Sequence, residues 1–100
     1  MKTEPPRTRK HGTKVHVAKT AADLLAAFRD VLANGYAKIN GVTVDLTTAS
    51  MVVNTTDAMR EEARANWLAK LDGYFTEGKN PALIVAFWVN TFWKAHKAAR

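Results

Sequence analysis

Three histidines, His11, His16 and His96, are the side chains best suited to metal binding or general acid–base work in a chain that has no cysteine. They stand apart, the first two in or beside the amino-terminal tail and the third near the carboxy terminus. No His-x-x-x-His pair and no histidine–carboxylate cluster at ligand spacing occurs, so each reads as a surface residue. Ser50, the only serine, has no base close to it in sequence that would make it a nucleophile. Glu61 and Glu62 imitate a carboxylate dyad, but adjacent helical positions diverge by about 100°. They read instead as first-turn acids beside Arg60 and Arg64. Gly73 and Gly78 flank Tyr-Phe-Thr-Glu without the spacing of a phosphate loop. The residues therefore predict no catalytic group, no cofactor and no metal, and the chain is expected not to be an enzyme.

Two other sets of residues carry candidate binding chemistry. Phe87, Trp88, Phe92 and Trp93 crowd the last apolar segment, where they either pack the core or meet a protein partner. The second set is basic. Lys2, Arg7, Arg9, Lys10, Lys14 and Lys19 stand against the single acid Glu4 and account for most of the formal charge of +6. The body of the chain is close to neutral. Such a tail solubilises, and it can also touch phosphates through counterion release. Arg7, Arg9, Lys10 and Lys14, together with Arg60 and Arg64, are the candidate nucleic-acid contacts. In that reading 51–56 and 58–71 form a helix-turn-helix-like pair that presents Arg60, Arg64, Asn66 and Lys70 to the major groove. Glu61, Glu62 and Asp57 crowd the end that should approach phosphates, which weighs against it.

The elements that must position these residues are set by caps and periodicity. A chain of 100 residues, 47% of them hydrophobic, makes one modest core. Residues 1–13, with Pro5-Pro6 and Gly12 and no apolar period, are expected to be a disordered basic arm, leaving 14–100 as a single domain. Val15 and Val17 alternate with polar neighbours and predict a short half-buried strand. Thr20 caps a helix, with Asp23 in its first turn and Leu24, Leu25, Phe28, Val31 and Leu32 on one face; Asn34-Gly35 stops it. Asn40-Gly41 between Tyr36–Ile39 and Val42–Leu46 is the signature of a β-hairpin with a type I′ turn. Val42, Val44 and Leu46 are placed on one side of its second strand. Residues 47–59 are read as a helix with a bend near Thr55–Asp57, although Val52-Val53 also suits a strand. A second amphipathic helix, with Met59, Ala63, Trp67, Leu68 and Leu71 along one side, ends at Gly73. Asn80-Pro81 then opens the last helix as N-cap and first residue. The expected fold is α+β, in the order β-α-β-β-α-α-α, with a small antiparallel three-stranded sheet packed against the helices.

The run INGVTVDLTTASMVVNTTDAM, Ile39 to Met59, resembles a class of small accessory proteins encoded by actinobacterial phages, mycobacteriophages in particular. Asn40 and Gly41 match the turn of that pattern, and Asp45, Thr48 and Ala49 match the residues after it. The later run EEARANWLAKL is similar to its acidic–basic helix, whereas the tryptophan-rich last helix departs from it. The resemblance implies a phage origin and supplies no activity. With no apolar signal segment and no stretch of about 20 apolar residues, the expected setting is the bacterial cytoplasm, away from membranes. There the protein is expected to bind a host or phage protein, or a second copy of itself, with nucleic acid as the alternative partner.

Overall fold

Helix starts leave free backbone N–H groups, and three of the four helices meet them with a side-chain acceptor, while the helix that begins at Glu61 has no side-chain cap. Thr20 Oγ1 accepts from the Asp23 N–H at 3.1 Å, and Asp23 Oδ2 accepts in turn from the Lys19 N–H at 3.3 Å. Asp72, 51 residues away, takes the Ala21 N–H at 2.7 Å. Asp45 Oδ1 caps the next helix at the Thr48 N–H, 2.8 Å away, and Asn80 Oδ1 caps the last at the Ala82 N–H, 2.9 Å away. In the computed structural model, which describes residues 14–98, these caps separate seven elements. They are β1 (Lys14–His16), α1 (Ala21–Asn34), β2 (Ala37–Ile39), β3 (Val42–Val44), α2 (Leu46–Ala58), α3 (Glu61–Thr76) and α4 (Pro81–Ala98). The element order is the expected one. The arm assigned to 1–13 lies outside the described residues.

The sheet differs from expectation. Its order is β1-β2-β3, with β2 and β3 antiparallel but β1 and β2 parallel, so it is mixed. The reason is connectivity: α1 lies between β1 and β2, and a strand that returns through a helical crossover runs parallel to its neighbour. The same register reverses the expected face of β1. Val15 pairs opposite Lys38, which pairs opposite Thr43, and these three share the open face. Val15 is 66% and Val17 72% exposed, while Ala18 is buried and His16 half-buried. Ala37, Ile39 and Val44 form the inward face, covered by α1 and α4.

Three further boundaries move. α2 is continuous from Leu46 to Ala58, with no bend at Thr55–Asp57. Thr56 is tolerated in the core there because its hydroxyl donates to the Val52 carbonyl at 2.7 Å. Leu46 becomes the first residue of α2 and is exposed rather than sharing the side of Val44. α3 runs through Gly73 to Thr76 and closes at Gly78, whose φ of 81° suits a glycine. Tyr74 and Phe75, partly buried against the core, carry the helix past the weak residue.

The hairpin joins three parts of the molecule. Asn40 and Gly41 take φ values of 52° and 86°, as a type I′ turn requires. Asn40 Oδ1 accepts the Ala18 N–H at 2.8 Å, and its Nδ2 donates to the carbonyls of Ala18 at 3.2 Å and Pro81 at 3.4 Å. Its own N–H donates to the His16 carbonyl at 2.9 Å. One residue thus ties the exit of β1, the turn and the start of α4 together. The core around them is built from Leu24, Phe28 and Val31 of α1, Val52 of α2, Leu71 of α3, and Val85 and Trp88 of α4.

Candidate functional site

α4 has apolar residues on nearly every side, and the fold buries only some of them. Ile84, Val85, Trp88 and Phe92 enter the core. Leu83 and Phe87, four residues apart and so on one stripe, stay 65% and 37% exposed. α3 supplies the other wall, with Trp67 and Tyr74 seven residues apart. The Trp67 and Phe87 rings stack with centroids 5.6 Å apart at 23°, and Tyr74 meets Phe87 edge-on at 5.6 Å. The Lys70 ammonium lies 5.8 Å from the Trp67 ring centre and 5.7 Å from that of Phe87, a cation–π arrangement over both. Beside it Tyr74, Lys79, Asn80, Leu83, Ile84 and Phe87 line an open hollow of about 300 Å³. An aromatic and aliphatic groove with lysines on its rim therefore runs along the α3–α4 face.

Of the four aromatic residues weighed as core or as partner contacts, two, Trp88 and Phe92, are core residues. Trp88 is fully buried, edge-on to Phe28 at 5.3 Å, and Phe92 is buried 6.0 Å from it and 5.3 Å from Trp67. They face inward because α4 must fill the space between α1 and α3. Phe87 lies in the groove. Trp93 is half-buried on another side of α4, edge-on to His96 at 5.9 Å, in a shallow depression with Ser50, Asn54 and Thr55 of α2. The indole N–H groups of Trp67 and Trp88 are buried with no acceptor among the described residues. The ring packing outweighs that omission, which costs on the order of 1–3 kcal/mol per group.

The basic candidates do not converge among the described residues. Arg7, Arg9 and Lys10 lie outside them, and Lys14 is placed only as the first residue of β1. Arg60 is exposed immediately before Glu61 and Glu62, the first-turn acids of α3. Arg64 adds to the positive field at Asp57. Asp57 itself grips Arg29 of α1 through two bonds, 2.6 and 3.0 Å. Those bonds hold the Asp57 carboxyl below its ordinary range and raise the Arg29 guanidinium. α2 and α3, the two helices of the helix-turn-helix reading, pack chiefly on α1 and α4 rather than on each other.

Two features escaped the sequence. His16 has a carboxylate partner after all: its Nε2 is 2.9 Å from Asp30 Oδ2, and Asn34 Nδ2 donates to Asp30 Oδ1 at 2.7 Å. The partner is 14 residues away on α1, a separation that no ligand-spacing rule covers. This pair pins β1 to α1, and no group of three or more histidines and acids that could hold a metal exists among the described residues. Trp67, Lys70, Tyr74 and Leu83 were the other omission. Their spacing on α3, three and four residues apart for the first three, marked one side of the helix, but which side faced α4 depended on tertiary register. Another hollow, about 740 Å³, is lined by Val15–Lys19, the Asn40-Gly41 turn and residues between Phe75 and Ala82, and is open and mainly apolar. No helix among the described residues is long and apolar enough to cross a membrane. No known family model, curated protein or solved structure matches the chain.

Proposed function

We propose that the chain is a small non-catalytic interaction protein whose contact surface is the α3–α4 groove. The observation that supports this reading most directly is the exposure of Leu83 and Phe87 beside the half-buried Trp67 and Tyr74. Scattered apolar residues are ordinary on a surface, whereas a contiguous aromatic groove with a polar rim is how protein contacts are built. The expected partner is a host or phage protein in an infected bacterial cell, the setting that the hairpin resemblance implies.

The test separates surface from core on the same helix. Leu83→Glu with Phe87→Glu is expected to keep the helical circular dichroism and lose a bound protein that the wild type captures from host lysate. Lys38→Glu, on the open face of the sheet, is expected to keep it. Trp88→Ala should lose about 3–5 kcal/mol of stability, because it empties a fully enclosed indole site. If the folded Leu83→Glu/Phe87→Glu variant retains every protein captured by the wild type, the groove is not the contact surface.

A further inference from the structure

We infer that the α3–α4 groove receives an acidic amphipathic helix of the partner. The inference rests on the proposal that this face binds protein and adds the chemistry of what it binds. Its first support is charge. Lys70 stands over the Trp67 and Phe87 rings, Lys79 closes the end of the hollow by Tyr74 and Leu83, and Lys94 lies seven residues beyond Phe87, on the same side of α4. Glu77 lies 3.9 Å from Lys79, with both side chains more than half exposed, so the pair is open to solvent. An apolar floor with excess positive charge on its rim complements a helix whose apolar residues recur at i, i+3 or i+4 and i+7 with Asp and Glu beside them.

The second support is what the groove lacks for other occupants. Its walls are the sides of two helices, whose backbone groups are satisfied within each helix, so an added β-strand finds no ladder to join. A base needs a free aromatic face on which to stack. Trp67 is already engaged by Phe87, stacked at 5.6 Å, by Phe92 at 5.3 Å and 31°, and by the Lys70 ammonium, which also lies over Phe87. A second copy meeting this face across a two-fold axis would set one lysine-bearing strip against another, and like charges brought together oppose association. Each remaining ligand class is therefore poorer in contacts than an acidic helix.

Two synthetic helical peptides with one apolar register, flanked by glutamates in one and by lysines in the other, provide the probe. Each is labelled and titrated with the full chain, with anisotropy read at low and physiological salt. The glutamate peptide is expected to bind at least about tenfold more tightly than the lysine peptide, with the difference shrinking as salt rises. Lys70→Glu with Lys94→Glu should reverse the order, and Leu83→Glu with Phe87→Glu should weaken both peptides. Equal binding of the two peptides that is lost in Leu83→Glu/Phe87→Glu overturns the acidic partner and leaves the docking face standing. Binding unaffected by Leu83→Glu/Phe87→Glu overturns the face itself. Absence of binding by both peptides, displacement by oligothymidylate, or a dimer in sedimentation that Lys70→Glu strengthens also overturns the inference.

Discussion

Asp57 of α2 and Arg29 of α1, 28 positions apart in sequence, bind each other, and the geometry is that of a fork on a carboxylate. The contact is close to half exposed on both sides, so its strength is screened and salt-dependent. Its sign is nonetheless fixed. The folded Asp57 carboxyl titrates below the ordinary value of 3.8, first because of the Arg29 bonds. Asp45 is lowered as well, chiefly by the Thr48 backbone N–H it caps. A group whose folded pKa is depressed stabilises the fold above its unfolded pKa and ceases to do so as pH falls through the folded value. Stability is therefore expected to hold at neutral pH and to decline from about pH 4 downward. Asp57→Asn should flatten the acid limb of a urea-midpoint profile measured from about pH 2 to 7. An unchanged limb in that variant would show that Arg29 does not hold the carboxylate in solution.

At the scale of elements, α3 shows how packing overrides local preference. Gly73 would end an isolated helix, yet Tyr74 and Phe75 are partly buried one turn from the fully buried Leu71, and the helix continues. A Cβ at Gly73 would meet nothing within 4 Å. Gly73→Ala is therefore expected to stabilise the protein by about 0.5–1 kcal/mol, through a lower entropy of the unfolded chain. Chemical denaturation measures this directly, and a destabilised variant would contradict the open space around the position. Two helix starts were legible, because Thr20 and Asn80 cap through side chains that act within three residues, whereas Asp45 was read as strand and caps a helix that begins at Leu46. The sheet was less legible. Whether β1 runs parallel to β2, and whether Val15 or His16 turns inward, depends on where α1 lies across the sheet. That is long-range information. The groove was half-legible for the same reason: Phe87 stood out by type, but Trp67 and Lys70 acquire their role only once α3 is laid against α4.

Across the whole molecule, one side chain holds more of the arrangement than its position in a turn suggests. Asn40 commits its carboxamide to Ala18 and Pro81, so the strand exit, the turn and the last helix share one latch. Asparagine followed by glycine is also the pair most prone to spontaneous cyclisation, in which the glycine nitrogen attacks the side-chain carbonyl carbon and ammonia leaves. In the folded chain the carboxamide is held by both its oxygen and its nitrogen, which opposes the rotation that attack requires. In the unfolded chain it is not. Hydrolysis of the ring leaves an acid that cannot donate to the Ala18 and Pro81 carbonyls, so a chain altered in this way refolds without its latch. The turn is therefore expected to act as a clock that runs faster while the protein is unfolded. Peptide mapping after matched incubation should find the acid at position 40 accumulating in urea and spared in native buffer. Equal accumulation in both would mean that the latch gives no protection.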